Sequence, residues 1–121
     1  MRMRRISLWF LIFSAALIWA CVAGSESFKM GQDMAKDKRW DEAIAFYEKA
    51  LKEVPDSGEY KAALKAAKQE SAKIHLEKAR KEFKVLGRED LPGVEQVMKE
   101  SGLAMGLDPE NPEVVSFHQA L

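Results

Sequence analysis

Residues 24–57, GSESFKMGQDMAKDKRWDEAIAFYEKALKEVPDS, decide the fold. Their apolar side chains recur at helical spacing in two segments, Phe28, Met30, Met34 and Ala35 on the first and Ala43, Ile44, Tyr47, Ala50 and Leu51 on the second. The second series advances in steps of three and four, which is one face of an α-helix. Asp37, Lys38 and Arg39 read as the turn between the segments. The second helix has to stop near Val54, because Pro55 disfavours helical geometry in the residue before it. The stretch therefore predicts a hairpin of two helices, and with it an all-α chain.

The small residues say how closely these helices meet. Gly31 and Ala43 carry little or nothing to hold two backbones apart, Ala50 leaves room for a following helix, and Tyr47 fills the space beside them. From Gly31 the chain reaches Ala43 after twelve residues, Tyr47 after four more, Ala50 after three and Pro55 after five. Those intervals, with Met30-Gly31 at the start and Trp40-Asp41-Glu42-Ala43 opening the second helix, resemble the tetratricopeptide repeat. Ser27 stands where that repeat usually has a large aromatic, which suggests an edge with less to bury, and Met34 replaces a tyrosine. The resemblance implies antiparallel hairpins, about five helices in all. It also implies a partner groove lined by the first helix of each repeat, with Phe28, Gln32, Ala35 and Lys36 as its protein-binding candidates. Phe28 and Gln32 depart from the Lys, Asn and Arg clamp of the chaperone-binding members.

Beyond the hairpin, Asp56 reads as a helix cap with Glu59 three residues on, close to a capping box. Nothing interrupts a helix from Tyr60 to Leu86, and Gly87 is its natural stop. Tyr60, Ala63, Leu64, Ala67, Ser71, Ile74, Ala79, Phe83 and Leu86 form its expected stripe. Such a helix is too long for one repeat helix, so its first half is read as the partner of the hairpin and its second half as the opening of a degenerate repeat. Arg88 to Pro92 reads as an insertion. Ala104 precedes Pro109 by five residues, as Ala50 precedes Pro55. Asn111 followed by Pro112 is a strong helix start. In the last helix Val114, Val115, Phe117 and Leu121 are expected to cover the end of the array. The organisation is thus 1–23 signal peptide or membrane anchor, 24–57 repeat, 58–110 long helix with a degenerate second repeat, and 111–121 capping helix.

Toward the N-terminus, Arg2, Arg4 and Arg5 precede an uncharged run, Ile6 to Ala20, with four aromatic rings. A cationic start followed by an apolar segment is the layout of a secretory signal. Three fates are open. Cys21, the only cysteine, follows Ile18-Trp19-Ala20 and resembles the lipidated cysteine of bacterial lipoproteins, although Trp19 is bulkier than that motif prefers. The 19 uncharged residues from Ile6 to Gly24 would also cross most of a bilayer core. Cleavage after Ala23 would release the rest. All three export the chain to the cell envelope, with an outer-membrane lipoprotein facing the periplasm as the leading reading and an inner-membrane anchor as the alternative.

Glu59 to Leu64 (EYKAAL) and Ser71 to Arg80 (SAKIHLEKAR), with the lipoprotein-like leader, also resemble the N-terminal helical region of secretin-type outer-membrane proteins. The ring and pore domains of a secretin are absent from the sequence, so the resemblance implies an accessory or truncated relative in a secretion or pilus assembly.

The full chain has 19 basic and 19 acidic residues, and setting the three leader arginines aside leaves it mildly acidic. Lysines alternate with glutamates along the helices, as in Glu48 with Lys52 and Glu77 with Lys81, which is the pattern of solvated faces rather than of a phosphate-tracking patch. Nucleic acid is not an expected partner, and neither is a small-molecule substrate. His75 and His118, the only histidines, have no ligand neighbours at metal spacing and read as surface residues. No residue is a candidate for catalysis, and no cofactor is expected. The expected function is an envelope scaffold that binds another protein or peptide and reaches the membrane through its N-terminus. The alternative is a structural oligomerisation module or the N-terminal part of a secretin-like protein.

Overall fold

The computed structural model describes residues 26–86 and 91–121, and the regular structure among them is entirely helical. α1 covers residues 26–36 of the described chain, α2 Trp40–Glu53, α3 Gly58–Val85, α4 Leu91–Leu107 and α5 Pro112–Gln119. The chain forms two compact units, one ending at Leu64 and the other running from Lys65 to Leu121, so the boundary falls inside α3. The expected leader, 1–23, with Cys21, lies outside the described residues, as do Gly87 and Arg88.

In the first unit α1 closes on a Schellman-type turn. Arg39 N–H donates to Met34 O at 2.9 Å and Lys38 N–H to Ala35 O at 3.0 Å. The turn needs a left-handed residue, and Lys38 supplies it at φ 59°, where glycine would carry no side-chain penalty. α2 starts without a side-chain cap. Asp41 and Glu42 in its first turn complement the positive end of the helix dipole, and Glu42 is also held by a forked ion pair with Arg39. α2 ends at Glu53, two residues before Pro55, as the sequence requires.

α2 turns back on α1 so that Tyr47 lies against Gly31. A Cβ placed on Gly31 would sit 2.6 Å from two carbons of the Tyr47 ring, so glycine is the residue that allows this approach. Ala43 and Ala50 are fully buried, with Ile44 and Tyr47 beside them. Phe28 completes the core, stacked on Tyr60 of α3 at 4.2 Å and tilted against Tyr47 at 5.4 Å. Ser27 is buried as well, at 5% exposure. The smaller side chain is therefore covered.

α3 begins at Gly58, and its cap is Ser57 rather than Asp56. The Ser57 hydroxyl accepts from Tyr60 N–H at 3.2 Å, the usual three-residue reach of a serine cap. In the second unit the buried face of α3 is Ala67, Ser71, Ala72, Leu76 and Ala79. Ile74 and Phe83, expected inside, are 49% and 51% exposed. Ala72 and Leu76 are buried in their stead.

α4 presents Val97, Glu100, Ser101 and Ala104 to the interior. Its first turn contains Leu91 and Pro92, the last two residues of the stretch read as an insertion. Pro92 fits there, since the first turn makes no use of its missing N–H. α5 starts as the sequence predicts, with the Asn111 side chain accepting from Glu113 N–H at 3.0 Å and Pro112 next. Leu76, Ala104 and Val114 form an apolar centre with Met105 and Phe117 packed on it. Phe83 meets Phe117 edge-on at 6.0 Å, and Arg80 lies 5.8 Å from the same ring. Leu121, expected to cover the end of the array, is instead 44% exposed, beyond the last turn of α5.

Candidate functional site

The four residues expected to face a partner all lie on α1, but they do not form one surface. Phe28 is buried beneath Tyr47 and Tyr60 and belongs to the core of the first unit, which corrects its assignment to an open groove. The cause is local: with serine at 27, Phe28 is the large ring available to fill the space that α2 and α3 leave. Gln32 and Lys36 are exposed and Ala35 is half-buried. Gln32 and Lys36 are four residues apart and so share a face of the helix. That face is polar and carries the ion pair of Lys36 with Asp33 at 2.8 Å. The pair holds the Asp33 carboxyl below its ordinary range and the Lys36 ammonium above, in each case first through the hydrogen bond and then through the opposite charge. Burial pushes the Tyr47 phenol up, partly offset by the positive charge of Lys36.

A second constellation, in the other unit, was not expected. The Glu100 side chain is only 4% exposed on α4 and is reached from α3 by two groups. His75 Nδ1 lies 2.7 Å from Glu100 Oε2, and the Lys78 ammonium donates to Oε1. Gln96, one turn earlier on α4, donates its Nε2 to the same Oε1 at 2.9 Å. Burial alone would raise the Glu100 carboxyl, but the hydrogen bonds from Lys78 and His75, and their charges, outweigh it and hold the group below the usual carboxylate range. The hydrogen bond to Glu100 likewise raises the Lys78 ammonium. At the next residue of α4, Ser101 Oγ and His118 Nδ1 are 2.9 Å apart and join α4 to α5.

Chemically this is a clamp. Both oxygens of Glu100 are engaged by donors, and a carboxylate kept ionised in that way is a weak proton acceptor. What it does is tie α3 to α4 in the same unit as the apolar centre of Leu76, Ala104 and Val114. His75 and His118, read from the sequence as surface residues, are both half-buried, and each joins two helices. Glu100 was legible in principle. It stands three residues after Val97 and four before Ala104, squarely on the buried stripe of α4, where a carboxylate has to find partners.

Among the described residues no group of His, Cys, Asp and Glu could hold a metal ion, and no helix is long and apolar enough to cross a membrane. The sequence matches no protein-family profile, and neither a curated protein nor a solved structure is significantly similar to it.

Proposed function

We propose that the chain is a membrane-anchored helical scaffold of the bacterial cell envelope, working by protein contact rather than catalysis, and that its first unit is a tetratricopeptide-type hairpin. The observation that carries this reading is the approach of Tyr47 to Gly31. The glycine and the aromatic ring stand at the intervals that define the repeat, and they meet with no room for a Cβ between them. The buried alanines 43 and 50 support it in the same way. The leader supports export and anchoring, with Cys21 as the lipid-bearing residue. The partner is another protein or peptide, with a secretion or pilus assembly the leading setting. It meets α1 through Gln32, Ala35 and Lys36, while Phe28 supports that face from beneath.

Capture of the tagged full chain from cross-linked envelopes tests the contact. A specific protein that is lost when Gln32 and Lys36 are both replaced by Glu is the expected result. Retention of that same protein set by the doubly substituted chain would move the contact off α1, and the absence of any specific protein would remove the reading. Incorporation of labelled fatty acid into the wild type and not into Cys21→Ser is the expected outcome for the anchor.

A further inference from the structure

Where α3 ends and α4 begins, Glu82, Val85, Leu86, Gly93 and Gln96 line a cavity of about 230 Å³. That is below the roughly 300–1,000 Å³ of small-molecule pockets and suits a single inserted side chain. Its walls are of two kinds. Val85 and Leu86 are apolar, and Val85 is 86% exposed at the rim. Glu82 and Gln96 offer acceptors. Glu82 Oε2 is buried and has no hydrogen-bond donor among the described residues, a state that costs free energy for as long as it lasts. Lys78 feels the charge of Glu82, but its ammonium is bonded to Glu100. Gln96 gives its Nε2 to Glu100, which leaves its amide oxygen as an acceptor.

A small cavity with apolar walls and a buried carboxylate oxygen lacking a donor among the described residues is complementary to a cation on an apolar stem. Resting on the protein-contact reading above, we propose that this cavity takes one arginine side chain of the partner polypeptide. The methylene stem lies against Val85 and Leu86, and the guanidinium bonds the Glu82 carboxylate and the Gln96 carbonyl oxygen. The terminal torsion of a glutamate is soft, so a small rotation brings Oε2 toward the opening and lets the planar fork engage both carboxylate oxygens. Arginine fits better than lysine because its head is flat, forked and weakly hydrated.

The test is a titration of the ¹⁵N-labelled full chain with n-butylguanidinium, with uncharged n-butylurea as the isosteric control. The expected result is saturable shifts at the amides of Val85, Leu86, Gly93 and Gln96 with the cation, and at least about tenfold weaker binding of the urea or of the cation to Glu82→Gln. Equal response to the two probes, no saturation, or indifference to Glu82→Gln would overturn the site. Arg88→Ala should leave the titration unchanged; binding that emerges only in that variant would mean that the chain's own arginine fills the cavity, and would overturn the partner assignment. An unperturbed amide spectrum elsewhere in Glu82→Gln shows that the fold is intact. Failure here is separable from failure of the broader reading, because a partner captured from envelopes equally well by Glu82→Gln would sink this site and leave the contact on α1 standing.

Discussion

The two units are built on opposite principles. The first is a hairpin closed by subtraction: Gly31, Ala43 and Ala50 remove side chains so that backbones approach, and three aromatic rings, Phe28, Tyr47 and Tyr60, fill what remains. The second adds a buried charge to a small apolar centre, with Glu100 drawing His75 and Lys78 across from α3 while Leu76, Ala104 and Val114 pack together. Apolar closure is insensitive to pH and sensitive to volume; ionic closure is the reverse. The difference shows how one short chain can hold helices together by apolar filling alone or with a buried charge added.

The largest break in the comparison should come from Tyr47→Ala. Emptying the space against Phe28 and Gly31 is expected to cost about 3–5 kcal/mol in denaturant unfolding. Residue-resolved hydrogen exchange should show protection lost first in α1 and α2. Equal loss across α4 and α5 would mean that the two units do not unfold by separate means.

In the second unit the corresponding change is His75→Ala. It leaves Glu100 Oε2 without its donor, at an expected cost of about 1–3 kcal/mol. The pH dependence follows from the sign of the Glu100 shift. Its folded carboxyl is held below the ordinary range, so its contribution is complete above the unfolded value and is lost as pH falls through the folded one. Exchange protection of α4 should therefore fail in acid before that of α2. His75→Ala should move that failure to higher pH, and Glu100→Gln should flatten the dependence.

Gly31→Ala measures the subtraction directly. Alanine gains about 1 kcal/mol of helix propensity over glycine, while a methyl 2.6 Å from the buried Tyr47 ring forces repacking worth about 1–3 kcal/mol. A net loss of about 1 kcal/mol is expected by thermal melting, and a gain would show that the ring yields freely. The smallest effect has the opposite sign. Lys38→Gly at φ 59° should stabilise by about 0.5–1 kcal/mol, because the turn already demands the left-handed conformation.

The same contrast governs what could be read in advance. The first unit was legible because its determinants are local and apolar: the 3–4 spacing from Ala43 to Leu51, the turn at Asp37 to Arg39 and the stop before Pro55 need no knowledge of distant partners. The second unit hid its core in residues that sequence patterns discount. Ser71 and Ala79 stood in the expected stripe, but Ala72 is too small to mark a face, Leu76 lay outside the stripe, Glu100 is polar, and the exposed Ile74 and Phe83 supplied a stronger but misleading signal. Of the candidate site, Gln32 and Lys36, named by resemblance as groove residues, are exposed on α1. Phe28 is buried, and only the meeting of α1 with α2 and α3 reveals that its ring is the filler between Tyr47 and Tyr60. The ends of helices divided along the same line. Asn111-Pro112 is a self-contained signal, whereas the choice of Ser57 over the adjacent Asp56 depends on where the first helical turn begins.

The most direct test of the contact reading is a photo-activated cross-linker placed at position 32 of the full chain in living cells, with position 77, exposed on α3, as the control. A specific adduct with one protein is expected from position 32, diminished by Lys36→Glu and absent from position 77. The same adducts from both positions, or none from position 32, would contradict it.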